Sequence, residues 1–600
     1  MPIVDDNLSR PSPRRSGGGG RGGSVVDEEA VKASMPFCPA VDKAEDKDTA
    51  DAAIEMTAAT AAATTAATHV HQEEPKSLHF KLTVIWLCVV GAMASMDSVI
   101  VAMCLENISR SLNTTSTSSF WLGTAFLLTQ TVTIPIYGTL SDIFGRKPLI
   151  QIGILIFFIA SIICGTAQSG AWLIGGRAAQ GVGAGGLLSL CQMILSDITT
   201  MRERGKYSTI SAFSWAIGIL AGVPLGGLIA QFTSWRWIFW INLPLCAVSI
   251  PGLWWSLRLQ TDTASFMTRI GRIDYLGLFV FSGSTTSVLI GLTCGGTLHP
   301  WHSAATVVPI VAGILGLMAF SLIEWKFAQE PMVPLRIFKD ITANTAYIGV
   351  FCHGMVVWSY SYYMIVFFLG AKQRGPLLSA ADTLPGFAFT NPSGVLAGFI
   401  VKATLRFKHL MIIGWILLAA GIGSNVTMLP SSSDAVLYAP RVLAAIGAGL
   451  LFPTPMFAVQ IRQRGEDVGI ATSVQVFLRS LGTTFGVAIG GVIFQNQWTV
   501  QVARRITDGE IPLAYVIESN RAETAYSMIA IFPHEVQVAY QWVYAESLVL
   551  MWWVMTGMSI LGFLVSLFAK DWSLRGGLAG KQNFLHRKKT PDVQGTAETR

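Results

Sequence analysis

Fourteen long apolar stretches constrain the fold of this chain more than any other feature of its sequence. A helix needs about 20 mostly apolar residues to cross a bilayer. Because backbone N–H and C=O groups must be paired inside lipid, each stretch is predicted to be helical. The predicted spans are 82–104, 120–138, 149–167, 171–195, 209–230, 237–257, 274–294, 304–325, 344–369, 379–401, 409–429, 436–460, 467–494 and 547–569. We therefore expect an all-α integral membrane protein with fourteen transmembrane helices.

The two ends of the chain differ from this apolar body. Residues 1–77 contain the low-complexity runs "SGGGGRGG" and "TAATAAATTAATH", which cannot bury a core, so we expect a disordered tail. The tail lacks a basic segment followed by an apolar one and is therefore no secretory signal, which leaves insertion to the first span. Residues 571–600 are predicted to form a second tail.

Basic residues are distributed unevenly among the loops. The short loops after even-numbered spans contain sixteen lysines and arginines, whereas those after odd-numbered spans contain four. Basic loops stay in the cytoplasm, so both termini are predicted to be cytoplasmic and the long loop 496–546 to face outwards. This placement explains the net charge of +6 without a nucleic-acid partner. Asn107 and Asn113 begin outward-facing N-x-S/T sequons and are candidate glycosylation sites.

Two pairs of predicted helices repeat with one spacing. The stretch "RAAQGVGAGGLLSL" from Arg177 matches "RVLAAIGAGLLFPT" from Arg441, 264 residues later. At the same offset, "GILAGVPLGGLIA" from Gly218 matches "GTTFGVAIGGVIF" from Gly482. Spans four and five are therefore equivalent to spans twelve and thirteen. Parallel repeats of this kind are a known transporter design, with substrate bound near the midplane between the halves.

The repeat predicts how the chain is divided. We expect a first six-helix half over 78–258, a two-helix insertion with its flanking loops over 259–340, and a second half over 341–570. Small residues let helices approach closely, which accounts for the repeated glycines. They do not account for the arginines, because an arginine at span depth costs at least about 2.5 kcal/mol unless it faces water or a partner.

The loop between spans two and three reads "GTLSDIFGRKP", from Gly138 to Pro148. An acid near a helix end, followed by a glycine turn and a basic pair, predicts an ionic latch on the cytoplasmic face. The two basic side chains are expected to face anionic lipid. A plain positive-inside loop would need the basic residues but neither the acid nor the glycines. The predicted latch consists of Gly138, Asp142, Gly145, Arg146 and Lys147.

This G-x-L-x-D-x-x-G-R-K pattern resembles the signature loop of the major facilitator superfamily. Other stretches over most of 80–570 resemble its fourteen-span drug:H⁺ antiporter family, namely "MDSVIVAMCLENI" in span one, "SWRWIFWINLP" after span five and the R-x-x-Q-G-x-G motif of span four. That motif falls on Arg177, Gln180, Gly181 and Gly183. The resemblance implies a major facilitator fold and proton-coupled export of amphipathic drugs or, in fungi, secondary metabolites.

Span five resembles the antiporter motif of the same family, which favours export over uptake. The residues that match are Gly218, Gly222, Pro224, Gly226 and Gly227. The family's Gly-Pro pair is here Gly222-Val223-Pro224, so the proline lies one residue later. The family's proline after span one is here Glu106.

Asp97 is the acid that lies well inside a predicted span of the first half. An intramembrane acid usually lines a water path, so Asp97 is a candidate proton carrier. The alternative is a permanent ion pair with a nearby arginine. Arg177 is either a coupling partner or a structural cation bonded to carbonyl groups. The candidate second-half counterparts are Arg441, Gly447, Gly449, Arg479, Gly482 and Gly486, and the candidate cavity residues are Gln130, Trp215, Trp358, Tyr362, Asn391 and Gln475.

The sequence contains no G-x-x-x-x-G-K-[ST] phosphate loop and no metal-binding pattern, so we expect neither an ATPase nor a cofactor. The expected partners are a small-molecule substrate, protons and membrane lipid, and the expected state is a monomer in the plasma membrane. Two alternatives stay open. One is a vacuolar transporter of basic amino acids, or a siderophore carrier, with the same fourteen-span plan. The other is a membrane sensor that transports nothing.

Overall fold

A computed structural model of the protein describes residues 76–112, 116–259, 266–296, 298–326 and 331–570. These residues are predominantly helical, and the β-structure found among them is one isolated bridge between Gly295 and His299. The all-α prediction is confirmed for this part of the chain. Both predicted tails, except residues 76 and 77, and the sequon residue Asn113 lie outside the described residues.

Fourteen principal helices follow one another along the chain. The first eight are α1 (Leu78–Ser111), α2 (Ser116–Phe144), α3 (Arg146–Gly165), α4 (Gly170–Ile198), α5 (Met201–Phe232), α6 (Asn242–Ser256), α7 (Tyr275–Cys294) and α8 (Ala304–Lys326). The other six are α9 (Ile341–Gly370), α10 (Leu384–Thr404), α11 (Lys408–Gly423), α12 (Asp434–Leu450), α13 (Val468–Thr507) and α14 (His534–Leu567). Short helices at Trp237–Trp240 and Thr454–Gln460 extend the α6 and α12 spans.

Thirteen helices of the described residues are long and apolar enough to cross a membrane. The remaining predicted span, 120–138, lies on α2. This helix is 29 residues long but carries several threonines and Gln130 among its apolar residues. At about 1.5 Å per residue it is long enough to cross a ~30 Å hydrocarbon core. The total of fourteen spans stays a prediction, and it depends on α2.

The predicted outer loop 496–546 is largely helical, which corrects the sequence interpretation. The helix α13 continues to Thr507, and α14 begins at His534, so the segment between them is 508–533. We call 508–533 the outer segment. Its backbone is held by ring residues of the two long helices: Trp498 Nε1 donates to Ile517 O at 3.1 Å, and Tyr544 Oη donates to Ala522 O at 2.7 Å. Hydropathy could not predict that α13 and α14 extend beyond their apolar spans, because the added helical turns carry polar residues on one side.

The repeated glycines mark equivalent helix contacts in the two predicted halves. A side chain at Gly183 would collide with backbone of α3, and one at Gly447, 264 residues later, with backbone of α11. A side chain at Gly185 would likewise collide with the backbone of α2, and one at Gly449 with the backbone of α10. A methyl group at these places would force the helices apart, so only glycine allows the contact. The repeat seen in the sequence is therefore a repeat of helix packing.

Buried side chains form separate clusters along the chain. Two clusters draw on residues between Phe80 and Leu259, and two others on residues between Ile337 and Ala569. The insertion helix α7 contacts both predicted halves, because Leu289 packs on α2 and Phe281 packs on Phe477 of α13. The helix α8 packs on α7 through Phe320 and Phe281. The division into two halves and an insertion stays a prediction, and this clustering supports it.

We expect the two ends of the α12 span to lie on opposite sides of the membrane. Ser433 and Arg464 are both exposed, and the loop charges predict that Ser433 faces out and Arg464 faces the cytoplasm. In intact cells, a membrane-impermeant maleimide should label a Ser433→Cys variant at once and an Arg464→Cys variant only after permeabilisation. The opposite pattern would invert the predicted topology.

Candidate functional site

Asp97 and Arg177 form a fully buried ion pair. Arg177 Nη1 lies 2.6 Å from Asp97 Oδ2 and also donates to Gln180 Oε1 at 2.7 Å. The amide of Gln180 donates to Asp97 Oδ1 at 2.9 Å, so the three residues close a ring of polar contacts between α1 and α4. Asp97 and Gln180 are 0% exposed and Arg177 is 1% exposed. The structure therefore brings together three of the residues that the sequence singled out.

Further groups complete this cluster, which we call the Asp97 site. Asn242 at the start of α6 donates to Asp97 Oδ1 at 2.7 Å, and Ser161 of α3 accepts from Gln180 at 3.1 Å. The guanidinium of Arg177 lies 4.1 Å from the ring centre of Phe126. Sequence reasoning missed Asn242, although an amide in an apolar stretch just before Leu-Pro was a signal for it. Helices α4 and α6 thus contact the carboxylate on α1, and α2 and α3 complete the site around Arg177 and Gln180.

The Asp97 site is electrically balanced in this conformation. One carboxylate faces one guanidinium at Oδ2, and the amide groups of Gln180 and Asn242 both donate to Oδ1. This arrangement is the ion pair that the sequence left open as an alternative to a proton carrier.

The latch is a buried charge cluster and not a lipid-facing loop. Arg146 is 0% exposed, pairs with Asp142 and donates from Nε to Asp197 Oδ2 at 3.1 Å. The expectation that Arg146 faces lipid is wrong, because two carboxylates hold its guanidinium inside the protein. Sequence reasoning also missed Asp197, because the predicted fourth span ended at 195, whereas α4 runs to Ile198. Lys147 lies apart from this cluster, with Nζ 4.9 Å from the ring centre of Trp254.

The two glycines of the latch have different roles. Gly145 has φ of 95°, which only glycine adopts easily, and it forms the turn between α2 and α3. A Cβ atom added at Gly138 would lie 2.7 Å from Cβ of Ser473 on α13. Gly138 is therefore a point of closest approach between the first and second predicted halves.

Polar contacts join the two halves at the end of the bundle that carries the latch, which we call the latch end. Arg204 Nη1 donates to Gln460 Oε1 at 2.6 Å, and Gln460 donates back to Ser196 Oγ at 3.0 Å. Ser473 Oγ donates to Ile134 O at 3.0 Å. Thr209 Oγ1 donates to Gly394 O at 3.3 Å, and a side chain at Gly205 would collide with Gly398. The structure is therefore closed between the halves at the latch end.

The second-half arginines do not form a copy of the Asp97 site. Arg441 is 3% exposed and lies over the ring of Phe368, and its Nε and Nη1 have no hydrogen-bond partner among the described residues. The residue 264 positions after Asp97 is Ser361, so the acid of the first half has no equivalent. Arg479 lies on α13 over Phe452, away from Arg441. The second half thus has an arginine, Arg441, equivalent to Arg177, but it has Ser361 where the first half has the carboxylate of Asp97.

The predicted cavity residues are spread over several helices. Gln130 of α2 and Gln475 of α13 are nearly buried, and the side-chain oxygen of each has no partner among the described residues. Trp215, Trp358 and Asn391 are half-buried on α5, α9 and α10, and Asn107 is half-buried near the end of α1. The structure thus does not gather the aromatic candidates into one cluster.

Tyr362 is engaged by the outer segment. Tyr362 Oη donates to Glu523 Oε2 at 2.7 Å, and its neighbour Tyr363 donates to Glu523 Oε1 at 3.2 Å. Glu523 belongs to the short helix Ser519–Thr524. Burial raises the pKa of the Glu523 carboxyl above its ordinary value, although the two tyrosine hydroxyls act in the opposite direction. The sequence did not indicate Glu523, because the outer segment carries no motif.

Docking of the outer segment should weaken as pH rises. The raised pKa of Glu523 means that the docked state binds its proton more tightly than the undocked state. Docking is therefore strongest at acidic pH and is lost as pH rises through the raised pKa. Amide hydrogen exchange of residues 519–524, corrected for intrinsic rates, should be several-fold faster at about pH 8 than at about pH 5. Glu523→Gln should remove this dependence, and an unchanged pH profile in that variant would contradict the assignment.

The sequence of the chain is similar to one known protein family and to several fungal transport proteins. The family model "Major Facilitator Superfamily" matches residues 85–268. "MFS transporter L2" of Phoma sp. is 32% identical over 517 residues, which covers 85% of this chain and 85% of that protein. "Efflux pump FUS6" of Gibberella moniliformis is 31% identical over 512 residues, covering 84% of this chain and 90% of that protein. "MFS-type efflux pump MMF1" of Mycosarcoma maydis is 32% identical over 500 residues, covering 83% and 80%.

A solved structure has a similar fold. The proton:xylose symporter XylE, a member of the same superfamily, superposes with a TM-score of 0.52 at 14% identity. The match covers 84% of this chain and 98% of the symporter. At this level of identity the likeness concerns the arrangement of helices and not the substrate.

Proposed function

Because the chain belongs to the major facilitator superfamily, we propose that it exports small amphipathic molecules in exchange for protons. It is a multi-pass membrane protein, and fungal proteins named efflux pumps are about one-third identical to it. Transport would proceed by alternating access, in which two six-helix halves expose a midplane site to either side in turn. We place it in the plasma membrane as a monomer.

The Asp97 site is the observation that carries this proposal. A fully buried carboxylate with one guanidinium partner can lose its charge to a single proton, and such intramembrane acids mark proton pathways. When a proton reaches Asp97, Arg177 loses its counter-charge and the ion pair between α1 and α4 is lost. The helix α1 also packs on α5 through Gly218, where a side chain would collide with Ser95 and Ala92. A movement of α1 would therefore be passed on to α5.

The latch end supplies the second part of the mechanism. The helix α5 contacts α10 there, through Gly205 against Gly398 and Thr209 against Gly394. Displacement of α5 would separate these contacts and open the latch end, which the loop charges place in the cytoplasm. Substrate would enter from that side while Asp97 releases its proton.

Counterflow distinguishes this proposal from a sensor that transports nothing. Proteoliposomes loaded with excess rhodamine B, an amphipathic dye, should take up a trace of isotope-labelled rhodamine B faster than protein-free liposomes. Uptake at the protein-free rate would favour the sensor. The transient accumulation needs no pH gradient, so it tests transport separately from proton coupling.

A further inference from the structure

We propose that Arg479 binds a carboxylate or similar anionic group of the substrate, so that the protein selects acidic amphipathic molecules. This inference rests on the proposed export function and names its substrate class. Arg479 is the eleventh residue after the start of α13, about 17 Å along the helix, and it lies near the middle of the predicted span 467–494. A site at this depth can be reached from either side as the halves move.

Among the described residues, Arg479 lacks the acidic partner that Arg177 and Arg146 have. Arg177 pairs with Asp97, and Arg146 pairs with Asp142 and Asp197. Among the described residues, no carboxylate lies within 4 Å of the Arg479 guanidinium. Its Nη2 donates to Phe452 O at 3.1 Å, and its Nε is buried without a partner. A cation left without an acid at this depth is costly, so a ligand that supplies the negative charge would be bound favourably.

The surroundings of Arg479 fit an amphipathic ligand. The guanidinium lies 4.4 Å from the ring centre of Phe452, which offers an apolar wall. Gln475 is one helical turn away on the same helix, and its side-chain oxygen has no partner among the described residues. His353 of α9 contacts Ala448 O through Nε2, and its Nδ1 has no partner there either. A carboxylate on Arg479 could thus be accompanied by a hydroxyl group on one of these acceptors.

Arg441 is a weaker candidate for the same role. It also has unpartnered nitrogens, but it is 3% exposed and enclosed by the rings of Phe368 and Tyr438. Arg479 is only half-buried and lies where α13 contacts α2 of the first half, through the hydroxyls of Ser480 and Thr131 at 2.6 Å. Access and position between the halves therefore favour Arg479.

Two dyes that differ by one carboxylate test the inference. Rhodamine B carries a free carboxylate, and its ethyl ester does not. Fluorescence anisotropy with the full-length protein in lipid nanodiscs should show rhodamine B binding about tenfold more tightly than the ester. Arg479→Gln should remove this preference and leave the affinity for the ester within about twofold, whereas Arg479→Lys should keep part of it. Arg464→Gln, which removes an exposed arginine near the start of α13, is the matched control and should behave as wild type.

Every outcome decides the matter. Wild-type protein that binds neither dye, or both equally, overturns the inference, as does an Arg479→Gln variant that still prefers rhodamine B. If Arg479→Gln does not fold, the Arg479→Lys variant is measured instead. An undiminished preference of this variant for rhodamine B over the ester overturns the inference, and a reduced preference supports it. Failure of the export proposal would look different, since the carboxylate preference would be present while a pH gradient drove no accumulation of either dye.

Discussion

Replacing Asp97 with asparagine should reduce proton-driven export to the background of protein-free vesicles. Asparagine keeps the size and polarity of the side chain, but it cannot carry a proton. Exchange of substrate down its gradient should persist, because that step needs no net proton transfer. The measurement is dye accumulation by inside-out vesicles with an acidic interior, next to counterflow by the same protein. Asp434→Asn, which neutralises an exposed acid, is the matched control and should accumulate dye as wild type does.

The variant Asp97→Asn has a cost that must be separated from the loss of coupling. It leaves Arg177 buried without a counter-charge, and breaking one side of a buried pair costs about 3–5 kcal/mol. The double variant Asp97→Asn/Arg177→Gln removes both charges and should regain most of this stability without regaining export. Full accumulation by either variant would show that the proton binds elsewhere and that Asp97 is structural.

Locking the latch end should stop transport completely. Because Cβ atoms at 138 and 473 would be closer than the ~3.8 Å of a disulfide, Gly138→Cys/Ser473→Cys should form one after the helices separate by about an ångström. Oxidation should abolish counterflow as well as uphill export, because the latch end could no longer open. A reducing agent should restore both.

The single-cysteine variants are the controls for the lock. Each should be unaffected by oxidant, because the native cysteines of the described residues lie at least half-buried in the bundle. Counterflow that continues after complete cross-linking would show that the latch end does not open during transport, and alternating access as described would be wrong.

The sequence predicted the helices well wherever an apolar stretch was long enough to cross a membrane. It also singled out Asp97 and Arg177 as a candidate coupling pair, because intramembrane charged residues are costly and need partners, and it named Gln180 separately as part of the span-four motif. It missed Asn242 and Ser161, since no spacing rule relates residues on four different helices that meet only after folding. The 264-residue repeat predicted equivalent helix contacts, and Gly183 and Gly447 show them.

The errors have a common physical origin. Arg146 was expected to face lipid because a basic residue after a span usually does, but Asp197, beyond the predicted end of the fourth span, holds it inside. The loop was expected to run from 496 to 546, but Trp498, Tyr540 and Tyr544 pack on the outer segment within helices that extend into this range. In both cases a contact between distant residues overrode a local pattern. Hydropathy indicates which segments cross the membrane, but it does not indicate which polar side chains contact one another.

Proton movement driven by substrate movement is the direct sign that this protein exchanges substrate for protons. Proteoliposomes with a pH-sensitive dye inside should show an internal pH change when rhodamine B is imposed as a gradient, with protons moving against the direction of the substrate. The change should be absent in protein-free liposomes and in Asp97→Asn proteoliposomes that still perform counterflow. Substrate transport by the wild-type protein without any proton movement would show that export is not coupled to protons.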